Sequence, residues 1–321
     1  MYQDARRGEI CQSYGDCMSS SQSFPLTDPI RRIGVVLSGR TREGSTAINR
    51  LIDLCEARDV SLAFESRSPG LPEGSNILDL DQSPIDLLLA LGGDGTMLRA
   101  SRLAIGSRLP VFGVNTGRLG FLTTTPEKEL EAGLTAVLDG QALVERRFTL
   151  SAIVRVAEGE NLGPFNALND VVVHHSGAAR VTPIKLTVER PEGQEEIGSF
   201  TGDGVILASP TGSTAYSLSA GGPIVAPDIE CMVVTPICPH SLSVRPLVVG
   251  SQEKVAVTGL DPGHNLQLTI DGQVEGKLGS QDTVVVSRGE HEVSLIQLQG
   301  QTFLDTMRRK LNWASRPPER A

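Results

Sequence analysis

Residues 86–100 read DLLLALGGDGTMLRA, and this stretch decides the fold. Leu87, Leu88, Leu89, Ala90 and Leu91 follow one another with no polar interruption. A strand buried on both faces requires that, and such strands belong to parallel sheets covered by helices. The apolar run stops at Gly92, Gly93, Asp94 and Gly95, and TMLRASRLA (96–104) resumes with helical spacing. A strand that turns through glycines straight into a helix is the building unit of an α/β domain.

The pattern repeats on either side. IGVVL (33–37) is a second apolar strand, and STAINRLIDLCEARD (45–59) is a helix with Ser45 or Thr46 as its N-cap. Ile48, Leu51, Ile52 and Cys55 share one face of it. SLAF (61–64) and LPVFGVN (109–115) supply further strands. Strand and helix alternate from 33 to 122, which predicts a doubly wound, Rossmann-like α/β domain. It lacks GxGxxG, and no GKS or GKT follows the glycines.

PEKELEAGLTAVLDG (126–140) has a proline at its first helical position and Gly140 just past its end. Beyond it the period changes to two. RFTLSAIVRV (147–156), DVVVHH (170–175), PIKLTVER (183–190), GDGVILAS (202–209), KVAVTGL (254–260), LQLTIDGQ (266–273) and DTVVVSRGEHEVSLIQL (282–298) read as strands. They predict an all-β region of two packed sheets or a distorted barrel. TFLDTMRRKLNWA (302–314) reads as a closing helix that docks back on the α/β part. The expected organisation is a disordered extension (1–29), an α/β domain (30–125), an all-β domain (126–300), and a helix with its tail (301–321).

Composition narrows the function. The net charge of -9 and the aromatic content of 4% exclude a protein that coats nucleic acid. The five cysteines are odd in number and form no CxxC pair, so neither a disulfide framework nor a cysteine-ligated zinc site is expected. The first 24 residues contain no apolar core of the signal-peptide kind. No apolar run approaches the roughly 18 residues of a membrane span. A cytoplasmic location is expected.

The glycine corner carries the first chemistry. Gly92, Gly93 and Gly95, followed by Thr96, leave no side chain to keep a phosphate from the backbone N–H groups at the helix start. Asp94 is the anomaly: a carboxylate repels phosphate unless it binds a metal or takes a proton from an attacking hydroxyl. The plain alternative is a helix-capping aspartate. Arg99, one turn further on, is placed either to hold a phosphate or to sit in solvent.

GGDGT at such a corner resembles the signature shared by NAD kinases, diacylglycerol and sphingosine kinases, and 6-phosphofructokinases. Further segments are similar to NAD kinases alone. They are NTGRLGFLT (115–123), LNDVVVHHSG (168–177), GDGVILASPTGSTAYSLSAGGPIV (202–225), TPICPHSLSVRPLVV (235–249) and TIDGQ (269–273). The resemblance covers about residues 33–300. It implies Mg²⁺-dependent transfer of a phosphoryl group from ATP, or polyphosphate, to the adenosine ribose 2′-hydroxyl of NAD.

The resemblance also implies site residues, with Asp94 as the catalytic group and Gly95 and Arg99 beside it. It carries NAD contacts to Asn169, Asp170, Arg180, Thr214, Ala215, Tyr216, Ser217, Leu218, Ser219 and Gln273. Asp203 has the same role, reaching across a subunit boundary of a homodimer or homotetramer. No protein metal ligands are implied, Mg²⁺ being held through nucleotide phosphates. Physically, Asn169 and Asp170 pair an amide with a carboxylate that can accept from ribose hydroxyls, and Tyr216 offers a face for adenine. His174 and His175 are adjacent in a strand, so they cannot join in one metal site. His240 reads as structural. A lipid kinase would show an apolar or basic membrane-facing surface, which the sequence lacks, and a dinucleotide sensor would bind without turning over.

Overall fold

The computed structural model describes residues 23–313 apart from 41–44, 69, 83, 108, 119, 124, 176–180, 191, 262–265 and 280. Arg180 and most of the expected extension lie outside the described residues. The chain begins with β1 (Ser23–Pro25), β2 (Arg32–Leu37), α1 (Thr46–Ala57), β3 (Ser61–Phe64) and β4 (Leu87–Leu91). There follow α2 (Asp94–Ala104), β5 (Pro110–Asn115), β6 (Thr125–Pro126) and α3 (Leu130–Leu138).

β3, β2, β4 and β5 lie side by side in that order and run parallel. Alternate strand residues explain the layers. Ile33, Val35, Leu87, Leu89 and Phe112 pack on Ile48 and Leu51 of α1 and Leu134 of α3. Val36, Leu88, Ala90 and Val111 pack on Met97, Ala100 and Ala104 of α2. Both faces are covered, as the unbroken apolar strands demand. The neighbours β2 and β4 therefore send their helices to opposite faces. Their following turns diverge, and a crevice opens at the carboxyl ends of the two strands.

The second part contains β7 (Ala142–Arg155), β8 (Leu162–Ala167), β9 (Asp170–His175), β10 (Thr182–Arg190), β11 (Gly193–Gly202) and β12 (Gly204–Ala208). One helical turn, α4 (Tyr216–Ser219), precedes β13 (Cys231–Ile237), β14 (Leu247–Gly250), β15 (Lys254–Gly259), β16 (Leu266–Ile270) and β17 (Gln273–Lys277). β18 (Thr283–Leu298) and α5 (Phe303–Leu311) end the described chain. One antiparallel sheet has the order β14-β13-β12-β9-β16-β17. It faces β7, β10, β15 and β18 across a shared apolar core that includes Leu150, Val173, Ile184, Leu207, Val257 and Val284. Two packed sheets are what the period-two pattern predicts.

β18 joins the two parts. Its first half pairs with β15, and Ser294 and Leu295 run parallel to Pro110 and Val111 of β5. One sheet thus continues from β11 through β18 to β3. At the end of the chain α5 returns to the α/β part, with Lys310 Nζ lying 5.4 Å from the centre of the Phe121 ring. Among the described residues no helix is long and apolar enough to cross a membrane.

Candidate active site

The crevice between β2 and β4 holds a cavity of about 960 Å³. Two helix starts face it: Ser45, Thr46 and Ala47 at α1, and Gly93, Gly95 and Thr96 at α2. A Cβ at Gly93 or Gly95 would meet nothing within 4 Å, so the backbone there is bare toward the cavity. Arg40, Arg99 and Arg118 add three guanidinium groups. Free N–H groups, helix dipoles and cations together favour an anion. Arg99 is tethered rather than solvated: it donates to the Leu37 carbonyl, and its Nε lies 3.0 Å from Glu65.

Asp94 opens α2, yet its carboxylate does not stand free. Oδ2 accepts from the Phe121 N–H at 2.8 Å. Oδ1 accepts from the Leu122 and Thr123 N–H groups and the Thr123 hydroxyl, each at 3.1 Å. A carboxylate has about four acceptor sites, and four donors occupy this one. Gly120 lies against it, since a Cβ there would be 1.8 Å from Oδ1. The side chain stitches the glycine turn to segment 120–123.

A second cavity, of about 390 Å³, lies beyond the next turn of α2. Leu98 forms part of its wall, with Asn169, Asp170, Val172, His174, Ala215, Tyr216, Thr269, Asp271 and Gly272. The α2 helix therefore touches both cavities, through Gly95 and Thr96 on one side and Leu98 on the other.

Asp271 builds this second site. It sits in the left-handed region, φ 47, in the turn between β16 and β17. Its carboxylate accepts from the N–H groups of Leu168 (2.9 Å), Asn169 (2.7 Å) and Asp170 (3.1 Å). Asn169 and Asp170 are thereby fixed at the head of β9. The Asn169 side chain is buried, and among the described residues its Oδ1 has no partner. A buried acceptor left open points to a donor supplied from outside. Burial, with Asp271 beside it, pushes the Asp170 carboxyl up to about 7. Burial raises Asp271 as well, opposed by its three N–H donors and the charge of Arg102. Arg102 of α2 also donates to Gln273 and, at 3.1 Å, to the Ile270 carbonyl, binding helix to turn.

The remaining predicted residues divide. Ala215 and Tyr216 line the second cavity, and Tyr216 is 46% exposed. Asp203 is exposed, accepts from the Cys238 thiol, and lies close enough to the Tyr216 phenol to raise it, together with Cys238 and Asp170 and after burial. Thr214 donates back to the Thr211 carbonyl at 3.2 Å. Leu218 is half-buried and Ser219 exposed, further along α4. Ser217 is fully buried and bonded to Thr235 Oγ1 at 2.8 Å, so its hydroxyl is spent inside the protein. Gln273 stands beside the cavity, held by Arg102. His240 is exposed, and its N–H donates to the Thr201 carbonyl at 2.8 Å.

His174 is a wall residue that sequence reasoning passed over. Its Nδ1 lies 3.1 Å from the His175 carbonyl, which makes Nδ1 the protonated nitrogen. Nε2 then accepts from Thr269 (3.0 Å) and Gln267 (3.2 Å). The signal was available: Asp170, Val172 and His174 are two apart in a strand and share one face. Among the described residues no group of three or more His, Cys, Asp or Glu side chains can hold a metal.

Residues 56–142 match the family described as ATP-NAD kinase N-terminal domain, and residues 168–298 match the ATP-NAD kinase C-terminal domain. The chain is 41% identical over 283 residues to the NAD kinase of Gemmatimonas aurantiaca, covering 88% of this chain and 96% of that one. It is 38% identical to the NAD kinase of Desulforamulus reducens, over 87% and 96% of the two chains. Among crystal structures it resembles yeast NADH kinase complexed with NADH, with a TM-score of 0.79 at 24% identity over 92% and 91% of the chains. It also resembles an NAD kinase from Archaeoglobus fulgidus in complex with ATP, with a TM-score of 0.68 at 25% identity over 88% and 97%.

Proposed function

Because the chain belongs to the NAD kinase family, we propose that it transfers a phosphoryl group from ATP to the adenosine ribose 2′-hydroxyl of NAD, giving NADP. The observation that carries this reading is the position of α2 between two unlike cavities. The larger, ringed by N–H groups and three guanidinium groups, suits a triphosphate, or inorganic polyphosphate. The smaller, with Tyr216 at its mouth and the open Asn169 acceptor within, suits adenosine. One helix then sets the distance between donor and acceptor, which is where positioning lowers the barrier.

In this reading Asn169, Asp170, Ala215 and Tyr216 contact NAD directly. Gln273 is presented by Arg102, and Thr214, Leu218 and Ser219 shape the loop behind Tyr216. Asp94 holds the glycine turn and segment 120–123 in register, so that the N–H groups meet the phosphates. Mg²⁺ would be held through the nucleotide phosphates and would supply charge neutralisation there.

The assembly we propose is a homodimer or homotetramer, with the exposed Asp203 beside Tyr216 available to a neighbour's nucleotide. A cytoplasmic setting suits the free thiols of Cys55, Cys231 and Cys238. The test is incubation with NAD, Mg²⁺ and either ATP or polyphosphate, reading NADP with an NADP-specific dehydrogenase. Product with ATP is expected; NAD binding without product would make the protein a sensor, and a monomeric mass in light scattering would sink the shared-site assembly.

A further inference from the structure

Leu98 and Arg102 stand one turn apart on α2 and so share a side of that helix. Leu98 forms part of the wall of the second cavity, and Arg102 reaches across to the β16–β17 turn. Its guanidinium donates through one nitrogen to the Gln273 side chain and through another, at 3.1 Å, to the Ile270 carbonyl. Between those two acceptors in the chain lies Asp271, whose carboxylate holds the N–H groups of Leu168, Asn169 and Asp170. A line of contacts thus leads from α2 through the turn to the head of β9. The other end of α2 presents Gly95 and Thr96 to the first cavity. Arg99 turns the opposite way, to the Leu37 carbonyl and Glu65. The helix is therefore anchored by one arginine within the α/β part and by the other to the β part.

We infer that Arg102 is a positioning residue for the transfer: by tying α2 to the β16–β17 turn it fixes the distance from the glycine turn to the NAD-binding residues at the head of β9. This rests on the reading of the two cavities as the ATP and NAD sites. Arg102 lines neither cavity. It acts on the placement of one substrate against the other, and a group of that kind is felt in kcat rather than in KM.

The guanidinium also acts through its charge. Burial pushes the Asp271 carboxyl up, and Arg102 opposes that along with the three N–H donors. The titratable groups that share the cavity with Asp271 are Asp170 and His174 of β9 and Tyr216 of α4. Asp170, buried beside the Asp271 charge, is itself pushed up to about 7. With Arg102 gone, the two carboxyls together bind a proton more readily. A protonated Asp271 loses the charge assistance in its grip on β9, so the site loosens at a higher pH than in the parent.

The experiment compares the parent with Arg102→Met and Arg102→Lys, in steady-state rates across pH and well below the melting temperature. Methionine is a good helix former, so α2 itself is kept. In Arg102→Met, kcat is expected to fall by about 10- to 100-fold, as a misplacement approaching 1 Å would cause. KM for NAD and for ATP should each stay within about fivefold. The acid limb of the kcat profile should move to higher pH. Lysine keeps the cation but not the planar fork. Arg102→Lys should therefore bring the acid limb back toward the parent's position and recover kcat in part. A kcat loss below tenfold in Arg102→Met, a larger rise in either KM, an acid limb that stays put, or a lysine variant no better than the methionine one would each overturn the inference. A parent that makes no NADP from NAD and ATP defeats the kinase reading and this inference with it, whereas NADP formation that survives Arg102→Met defeats the inference alone.

Discussion

Gly212→Ala is expected to cripple the protein. A Cβ at this position would lie 2.0 Å from the Asn169 carbonyl oxygen and 2.4 Å from its carbon. Both are backbone atoms, and neither can swing aside. The Asn169 carbonyl is pinned by the Ser209 N–H at 2.9 Å, and the Asn169 N–H by Asp271. Relief must come from moving the whole turn at Thr211–Thr214, and Tyr216 with it. We expect about 3 kcal/mol or more of lost stability, at the upper end of overpacking effects. NADP formation should fall more than a hundredfold as the second cavity loses its shape. Gly276→Ala is the control, since a Cβ there meets nothing within 4 Å. Denaturant titration and steady-state rates of both variants check this. Near-parent behaviour of Gly212→Ala would show that the turn is not held against β9.

Asp94→Asn should produce the second large loss, by a different route. An amide presents an NH₂ where one carboxylate oxygen now receives N–H donors from Phe121, Leu122 or Thr123. Donor then faces donor. At least one buried N–H loses its partner, at a cost of about 1–3 kcal/mol, and the remaining bonds lose their charge assistance. Segment 120–123 is released from α2, and the glycine N–H groups lose their register with the phosphates. Turnover should fall by more than about tenfold, with a much smaller change in NAD affinity, because the second cavity is walled by other elements. Asp94→Glu offers no rescue, since Gly120 leaves no room for a longer side chain. Turnover within tenfold of the parent would show that the stitch to 120–123 is dispensable.

The fold was legible where chemistry and period coincide. Leu87–Leu91 can only be a doubly buried strand, and the glycines after it can only be a tight corner. β11 left no such trace: GQEEIGSFTG is a mostly exposed edge with charged residues where alternation would show. The sixteen-residue β18 was legible over 282–298 even though an irregularity between Arg288 and Glu292 breaks its period at SRGEHE. The resemblance pointed to Asn169, Asp170 and Tyr216, and the structure draws these three around one cavity. Ser217, named in the same way, turns inward to Thr235.

The partners of the two aspartates were not legible, for a physical reason. Asp94 is met by backbone N–H groups 27 to 29 residues away, and Asp271 by others 101 to 103 residues away. Every residue except proline has such a donor, so the sequence does not mark which ones are used. His174 could have been read from the strand period, and was passed over because only its pairing with His175 was considered.

Many phosphotransferases close two lobes about a flexible joint. In this chain β18 is hydrogen-bonded to β15 at one end and to β5 at the other, with β7 alongside through both halves. Among the described residues no slack linker separates the two parts, so bending them would tear ladder bonds rather than rotate a few loop torsions. The catalytic frame is therefore a single girder.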